Sequence, residues 1–364
     1  MHSELWHQIA LTFIPDVGPI LRKRLIEYFG SAKEVFAARK KELGSIDGIG
    51  DWAIKQLKSW NDYSLVDKEL KFIDKNNIQP LFITDKAYPY RLTNCPDAPT
   101  LLYWKGHTNL NATKIISIIG TRNNTNYGKY LTEQFMASIP KDVLIVSGLA
   151  LGIDSIAHKS ALKNGLPTVG VLGHGLDNLY PAQHELLAKE MLGHGGLLSE
   201  YSQRTKADKH NFPRRNRIVA GMADATIVIE TAEKGGSMIT ADLAFQYNRE
   251  LFAFPGRVND AKSAGCHQLI QQNKAILLTD AAYLLSMMGW TEKKKPEKKQ
   301  LALFSSLSAD ELMVVEILNE KELFTIDELN SRTQLNSSKM AGILLSLELQ
   351  NIIHVIPGKM IALA

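Results

Sequence analysis

The sequence predicts an α/β protein in which a Rossmann-like, doubly wound sheet is flanked by an N-terminal helical domain and a C-terminal winged helix. Short apolar segments alternate with helical segments between residues 114 and 290, as in repeated βαβ units. Two similar glycine turns, each followed by a helical segment, precede this region, and three capped helical segments with a strand pair follow it. The first flanking region is typical of a helix-hairpin-helix or SAM-like domain, and the second of a winged helix.

The chain of 364 residues is too long for one ordinary hydrophobic core, so we expect two or three domains. We place an N-terminal helical domain at residues 1–75 and the Rossmann-like domain, with its leading connector, at 76–290. A charged linker at 291–307 and the winged helix at 308–364 follow. The formal net charge of +4 is a mild basic bias that is compatible with an anionic partner.

Cysteine content and hydropathy predict a cytoplasmic protein that does not associate with membranes. Only Cys95 and Cys266 occur, which implies no disulfide framework and fits a reducing compartment. Residues 1–12 lack a basic segment followed by an apolar one, so we expect no signal peptide. The most apolar stretches, such as Val143 to Ile153, are far shorter than the roughly 20 residues that cross a bilayer.

The N-terminal region contains two related turns, Ile14 to Gly18 before a helical run at 21–28, and Ile46 to Gly50 before another at 52–60. A glycine turn that opens a helix exposes backbone N–H groups that can hold a phosphate, as in a helix-hairpin-helix. A small helical bundle whose glycines only make turns is equally compatible with the spacing. The prolines and other turn residues of 85–106 predict a connector into the next domain.

The central region predicts a parallel sheet whose strands end in glycine or polar residues. The predicted strands are 115–119, 143–146, 168–172, 225–229, 251–254 and 275–278. Ligands of such sheets bind outside the carboxyl ends of the strands. The glycines that cluster there therefore mark the expected site.

The C-terminal region predicts a charged linker followed by a winged helix. Residues 291–300 are rich in lysine and contain a proline. Capping boxes at Ser308 to Glu311 and Thr325 to Glu328, and a cap at Asn336, start three helices ahead of a hairpin. The third helix has Lys339 as its only basic residue, so this domain is poorly charged for reading DNA, and an interaction module of the same fold is a strong alternative.

The first strand turn does not predict a dinucleotide cofactor. A dinucleotide fold needs G-x-G-x-x-G after the first strand and an acid at the end of the second. Here Gly120-Thr121-Arg122 follows the first strand, and Ser147-Gly148 ends the second. The histidines also lack metal-ligand spacing, and we expect neither a cofactor nor a metal.

Anion-binding features concentrate at these strand ends instead. Arg122 lies at the end of the first strand, and residues 147–154 and 234–237 are glycine-rich turns that open helices. Between them, residues 209–217 hold four cations and Phe212, a combination that suits single-stranded DNA. The predicted DNA-binding residues are Gly120, Arg122, Ser147, Gly148, Gly152, Lys209, Phe212, Arg214, Arg215, Asn216, Arg217, Gly235, Gly236 and Ser237.

Residues 114–290 resemble the Rossmann-like domain of the DNA-processing protein A family, DprA or Smf, and the flanking regions fit an architecture common in that family. The matching motifs are Ile119 to Arg122, Ser147 to Asp154 with His158, Gly173 to Asp177 with Tyr180-Pro181, Leu198 to Tyr201, His210 to Ile218, Gly235 to Ala241 and Phe254 to Gly256. The resemblance implies binding of single-stranded DNA without marked sequence preference, dimerisation through this domain, and loading of the RecA recombinase during transformation.

The resemblance also implies residue roles. Arg122 and Lys209 match cations that contact the DNA backbone, and Phe212 matches an aromatic that contacts bases. Ser147, Gly148, Gly235, Gly236 and Ser237 match the phosphate-holding loops. The sequence departs from the family pattern at Cys266-His267, at Asn273-Lys274 and at His174.

Two other functions compete with DNA binding. The Gly235-Gly236 turn resembles that of nucleotide phosphoribohydrolases, but Met238-Ile239 replace the Gly-Thr pair and Asp242 stands in place of the glutamate. A pure adaptor is the second alternative, and the basic run at 209–217 argues against it. We expect no catalysis, and we expect a fragment of roughly residues 80 to 290 to keep most single-strand binding.

Overall fold

The structure, a computed structural model, describes residues 3–291, 307–356 and 358–363. It divides into one unit that ends at Leu277 and another that begins at Leu278. Most of the predicted charged linker, residues 292–306, lies outside the described residues. In the described ranges, every helix is too short or too polar to span a bilayer.

The first unit begins with the predicted helical region. Its helices are α1 (Glu4–Phe13), α2 (Pro19–Phe29), α3 (Ala32–Ala37), α4 (Lys40–Leu43), α5 (Asp51–Ser59) and α6 (Tyr63–Lys75). Gly18 and Gly50 are the N-caps of α2 and α5, and neither start has a side-chain cap. The prediction that glycine turns open these helices is confirmed. Their core is built from buried aliphatic side chains such as Leu11, Leu25 and Leu57.

The connector predicted at 85–106 is wrong in part, because it contains a helix and a strand of the sheet. The elements after α6 are β1 (Gln79–Phe82), α7 (Tyr90–Thr93) and β2 (Leu101–Gly106). Leu101 and Tyr103 pack into the N-terminal core, whereas Leu102 and Trp104 pack into the core of the sheet. Because β2 is apolar on both faces, it lacks the polar alternation that marks a half-exposed strand.

The remaining strands of the first unit form the predicted parallel sheet. They are β3 (Lys114–Ile119), β4 (Val143–Ser147), β5 (Thr168–Leu172), β6 (Gly195–Ser199), β7 (Ala225–Val228), β8 (Glu250–Ala253) and β9 (Ile276–Leu277). The nine-stranded sheet has the order β1-β2-β6-β5-β4-β3-β7-β8-β9. Neighbours from β6 to β9 are parallel, whereas β1, β2 and β6 pair antiparallel.

Strand β6 is not among the predicted strands, and it begins with two glycines, which are more typical of turns than of strands. The structure shows a steric requirement for the first of these glycines. A Cβ at Gly195 would lie 1.9 Å from the Thr168 carbonyl oxygen, so only glycine lets β6 approach β5 this closely. The six predicted strands are confirmed as β3, β4, β5, β7, β8 and β9.

Helices connect the parallel strands. They are α8 (Asn126–Ala137), α9 (Ile153–Lys163), a 3₁₀ turn (Ala182–His184) leading into α10 (Glu185–His194), α11 (Asn211–Met222), α12 (Gly236–Gln246) and α13 (Ala264–Gln271). Helix α8 packs against α9, and α11 packs against α12. The loops after β3, β4 and β7 all leave the sheet at its carboxyl edge, as parallel strands require.

The second unit confirms the predicted winged helix. Its elements are α14 (Ala281–Met287), α15 (Ala309–Leu318), β10 (Phe324–Thr325), α16 (Ile326–Thr333), α17 (Ser337–Leu349), β11 (Ile353–Ile356) and β12 (Met360–Leu363). The predicted caps Ser308, Thr325 and Asn336 each accept a backbone N–H in the first turn of a helix. The strands form a small sheet in the order β10-β12-β11.

Candidate nucleic-acid interface

A groove of about 690 Å³ opens at the carboxyl edge of the sheet, where the loops after β3, β4 and β7 meet the start of α11. Most of the residues predicted to bind DNA line it. These are Gly120, Arg122, Gly148, Lys209, Phe212, Arg215, Asn216, Gly235, Gly236 and Ser237. Segments far apart in the sequence therefore converge where a doubly wound sheet offers its ligand site.

A cation and two aromatic rings stack at one end of the groove. The guanidinium of Arg122 lies 5.3 Å from the centroid of the Phe212 ring. The ring of Tyr180 lies 5.6 Å from that of Phe212, with 36° between the planes. Tyr180 is 52% exposed, so its ring is available to a ligand. Exposed aromatic faces beside a cation can stack on unpaired bases of any sequence.

Tyr180 is the main groove residue that the predicted set lacked. It lies in the groove lining although it comes from the segment between β5 and α10, after the glycines of Gly173 to Gly175. The sequence offered a signal, because Tyr180-Pro181 is one of the motifs that carry the family resemblance. Only the fold brings its ring to Phe212.

Arg215 forms the floor of the groove. Its side chain is buried and donates to the carbonyl oxygens of Gly148 and Val171. Burial lowers the pKa of Arg215 to about 10, and the nearby carboxyl of Asp154 opposes that shift. The guanidinium is therefore still charged at neutral pH. It fixes the β4 and β5 strand ends and adds positive charge beneath the groove.

In the predicted phosphate-holding turn after β4, two side chains make hydrogen bonds within the fold. Ser147 is fully buried, and its Oγ donates to the Ile118 carbonyl oxygen at 2.6 Å. Asp154 Oδ2 accepts the Ala150 N–H at 3.4 Å within the same loop, and burial raises the pKa of Asp154. The structure thus gives Ser147 a role in joining β4 to β3 rather than in holding a phosphate.

The N-terminus of α8, the helix that follows Arg122, is closed by Glu230. One carboxylate oxygen of Glu230 accepts the Thr125 N–H and the other accepts the Thr125 hydroxyl, both at 2.8 Å. Thr125 Oγ1 in turn accepts the Gly128 N–H at 3.0 Å. This helix start already has its anion, so it does not add to the groove.

The start of α12 remains open to an anion. Its N-cap is Gly235, so no side chain caps the helix start. A Cβ at the exposed Gly236 would meet no atom within 4 Å. Ser237 Oγ donates to Thr231 Oγ1 at 2.6 Å, so the serine side chain braces the turn. The first backbone N–H groups of a helix have no intrahelical acceptor, and here Gly235, Gly236 and Ser237 line the groove together with its cations.

Of the predicted residues that the structure describes, Ser147, Gly152, Arg214 and Arg217 lie outside the groove lining. Arg214 is exposed on α11, whereas Arg217 is buried and pairs with Glu200. Gly152, with φ of +81°, is the N-cap of α9. The prediction assigns all three arginines of α11 to DNA, but the helix enters the core after its first turns, and every residue from Arg217 to Met222 is buried.

The two N-terminal glycine turns lie side by side, away from the groove lining. Trp52 Nε1, in the first turn of α5, donates to Asp16 Oδ2 at 2.9 Å, next to the start of α2. Both helix starts lack side-chain caps, as binding of a phosphate by a helix-hairpin-helix requires.

The residues considered for catalysis and metal binding lie outside the groove lining, where they make ion pairs or hydrogen bonds within the fold. Asp242, the acid of the hydrolase alternative, pairs with Lys274 at 2.8 Å and lies outside the groove lining. His158 is buried and bonded to Thr168 Oγ1 at 2.7 Å. Among the described residues, no three His, Cys, Asp or Glu side chains form a group that could hold a metal ion.

Comparison with curated proteins finds relatives across most of the chain. Protein Smf of Synechocystis sp. is 32% identical over 316 residues, which cover 82% of this chain and 78% of that protein. DNA processing protein DprA of Bacillus subtilis is 40% identical over 217 residues, which cover 59% and 73%.

Comparison with solved structures agrees. DNA processing protein A (DprA) from Streptococcus pneumoniae matches with a TM-score of 0.68 and 31% identity, over 78% of this chain and 98% of that one. DNA processing protein A from Helicobacter pylori, described with a unique single-stranded DNA binding mode, matches with a TM-score of 0.52 and 31% identity, over 58% and 95%.

Family models match both units. Residues 79–289, more than half of the chain, match DNA recombination-mediator protein A, and residues 297–359 match the DprA winged helix domain. The chain therefore belongs to the DNA recombination-mediator protein A family, whose members include proteins named DprA and Smf.

Proposed function

We propose that this protein binds single-stranded DNA without strong sequence preference in the groove at the carboxyl edge of the sheet. The observation that carries the proposal is the stack of Arg122, Phe212 and Tyr180 beside the exposed Lys209. The DNA binding described for the Helicobacter pylori relative supports it.

The groove residues divide into two kinds of contact. Arg122, Lys209 and the open start of α12 bind phosphates, because they supply charge and N–H donors without reading a base. Phe212 and Tyr180 stack on bases, since every base has a π-face. Arg215 acts from the floor by holding the strand ends and contributing positive potential.

Family membership supports a wider role. We propose that the protein acts as a cytoplasmic homodimer that protects incoming single-stranded DNA and loads the RecA recombinase in transformation and recombination. The action is binding rather than turnover. The hydrolase alternative has less support, since Asp242 is paired with Lys274 outside the groove lining.

The test is a fluorescence-anisotropy titration of full-length protein with labelled single-stranded and duplex oligonucleotides over a range of salt concentrations. The parent is expected to prefer the single strand. Arg122→Ala is expected to weaken binding to all sequences and to lower the slope of log K against log salt by about 0.7, the contribution of one single-strand phosphate.

The matched control is Lys163→Ala, which removes an exposed cation at the far end of α9, away from the groove. It is expected to bind like the parent. Parent-like affinity and salt slope in Arg122→Ala would mean that the groove is not the DNA site.

A further inference from the structure

The loop between β6 and α11, residues 200–210, carries Lys209 to the rim of the groove. Its end nearer to the groove is exposed, with Lys206, Asp208 and Lys209 all facing solvent. A loop of this kind needs anchors elsewhere if it is to hold a cation at a fixed place. One of its anchors comes from the N-terminal helices, which lie outside the groove lining.

The first anchor is Glu69 on α6. Glu69 is 1% exposed, and its two carboxylate oxygens accept the Gln203 backbone N–H at 3.1 and 3.2 Å. Burial raises the pKa of Glu69, and the hydrogen bond from Gln203 opposes that shift. A buried carboxylate is costly unless it is bonded, so Glu69 and the loop backbone depend on each other.

The second anchor lies at the first residue of the loop. Glu200 accepts a hydrogen bond from the buried guanidinium of Arg217. The charges of Arg217 and, more weakly, of Arg22 on α2 oppose the rise that burial gives to the pKa of Glu200. Arg22 itself donates to the Thr12 carbonyl oxygen at 2.7 Å. The base of the loop is thus held by Arg217 of α11.

A third tie comes from the segment between β5 and α10. Arg204 donates its N–H to Asp177 Oδ2 at 2.9 Å and has φ of +64°, a conformation that needs support in a residue other than glycine. The loop is therefore fixed at 200, 203 and 204, and its remaining residues lead to Lys209.

We propose that the N-terminal helices support DNA binding from behind, with Glu69 as a positioning residue that holds the loop and so places Lys209 at the groove. This inference rests on the proposed function, in which Lys209 contacts a phosphate. It also changes the expectation that residues 80–290 suffice for binding, because that fragment lacks both Glu69 and Arg22.

The test is a double-mutant cycle in the full-length protein, using Glu69→Ala, Lys209→Ala and the two combined, with binding of labelled single-stranded DNA as the readout. Lys209→Ala is expected to weaken binding about fivefold near 0.1 M salt and to lower the salt slope by about 0.7. Glu69→Ala is expected to weaken binding and lower the slope in the same direction. The double variant should be no weaker than Lys209→Ala, because both changes remove one contact.

The matched control is Asp74→Ala, which removes an exposed carboxylate from the same helix. Loss of a negative charge by itself strengthens binding to DNA, so the control is expected to bind as well as the parent or slightly better. Weaker binding in Glu69→Ala therefore has the opposite sign to a general charge effect. If Glu69→Ala does not fold, the cycle is run with Glu69→Gln, whose amide oxygen still accepts an N–H, and a smaller loss with the same non-additivity is expected.

The outcomes separate the two proposals. Parent-like binding by Lys209→Ala contradicts the assigned phosphate contact itself. Weak binding by Lys209→Ala with parent-like binding by Glu69→Ala overturns the positioning role alone. Additive losses in the double variant also overturn it, because Glu69 would then act on some other contact.

Discussion

The guanidinium of Arg122 and the ring of Phe212 lie 5.3 Å apart, although one follows β3 and the other begins α11. The contact keeps a cation and an aromatic face together at the groove before any ligand arrives. Such preorganisation lowers the entropic cost of ordering these side chains on binding. It also joins a phosphate-binding group to a base-binding group in one structure.

Replacing Phe212 should separate stacking from charge. Phe212→Ala is expected to weaken single-strand binding by about 1 to 2 kcal/mol for every base composition, because it removes a stacking surface. The salt slope should not change, since no phosphate contact is lost. Phe212→Tyr keeps the ring and serves as the control. An altered salt slope in Phe212→Ala would mean that the ring acts through a cation instead.

Placing a carboxylate at the start of α12 should have opposite effects on stability and on binding. Gly236→Asp is expected to stabilise the protein by about 0.3 to 1 kcal/mol relative to Gly236→Ala, because an acid complements the helix dipole. The same acid should weaken DNA binding severalfold relative to Gly236→Ala, since it competes with the phosphate. Thermal unfolding and anisotropy measure the two effects. Equal DNA affinity for the two variants would exclude the α12 start from the interface.

Breaking the buried ion pair of Arg91 and Asp224 should lower the free energy of unfolding more than breaking an exposed ion pair does. Arg91 bonds both carboxylate oxygens of Asp224, at 2.6 and 2.9 Å, and both side chains are almost fully buried. Arg91→Ala leaves the carboxylate without its cation and is expected to cost about 3 to 5 kcal/mol in urea unfolding. The more exposed pair of Lys114 and Asp142 is the control, and Lys114→Ala should cost about 1 kcal/mol or less. Similar losses in the two variants would contradict this account.

His158 should make the protein sensitive to mild acid. Burial lowers the pKa of His158 from 6.5 to about 3, so the unfolded state takes up a proton first as the pH falls. The stability that this histidine contributes is complete above pH 6.5 and is lost progressively toward pH 3. Between pH 7 and pH 5 the parent is expected to lose about 2 kcal/mol more than His158→Gln. Parallel pH profiles of the two proteins in urea unfolding would rule out His158 as the source.

Strand ends and glycine turns made much of the groove predictable. Arg122, Lys209 and Phe212 were assigned from motifs and charge, and the fold brings all three to one groove. A motif does not predict whether a side chain points to the groove or into the core. Arg217 belongs to a basic run in the sequence, but it lies where α11 enters the core, and there it pairs with Glu200.

The other features that were not predicted depend on contacts between residues far apart in the sequence. Glu230 closes the start of α8 from the loop after β7, and Glu69 on α6 anchors the loop between β6 and α11. Neither residue belongs to the segment that it supports, so no local sequence pattern indicates its role. Strand β2 was missed for a related reason, because each of its faces is buried against a different core.

Photocrosslinking tests the central claim most directly. Single-stranded DNA substituted with 5-iodouracil is bound to the full-length protein and irradiated, and the crosslinked peptides are identified by mass spectrometry. Halogenated bases react with aromatic side chains on which they stack, so the account predicts crosslinks to peptides that contain Tyr180 or Phe212, reduced in Phe212→Ala. Crosslinks confined to the N-terminal helices or to the winged helix, unchanged in Phe212→Ala, would contradict it.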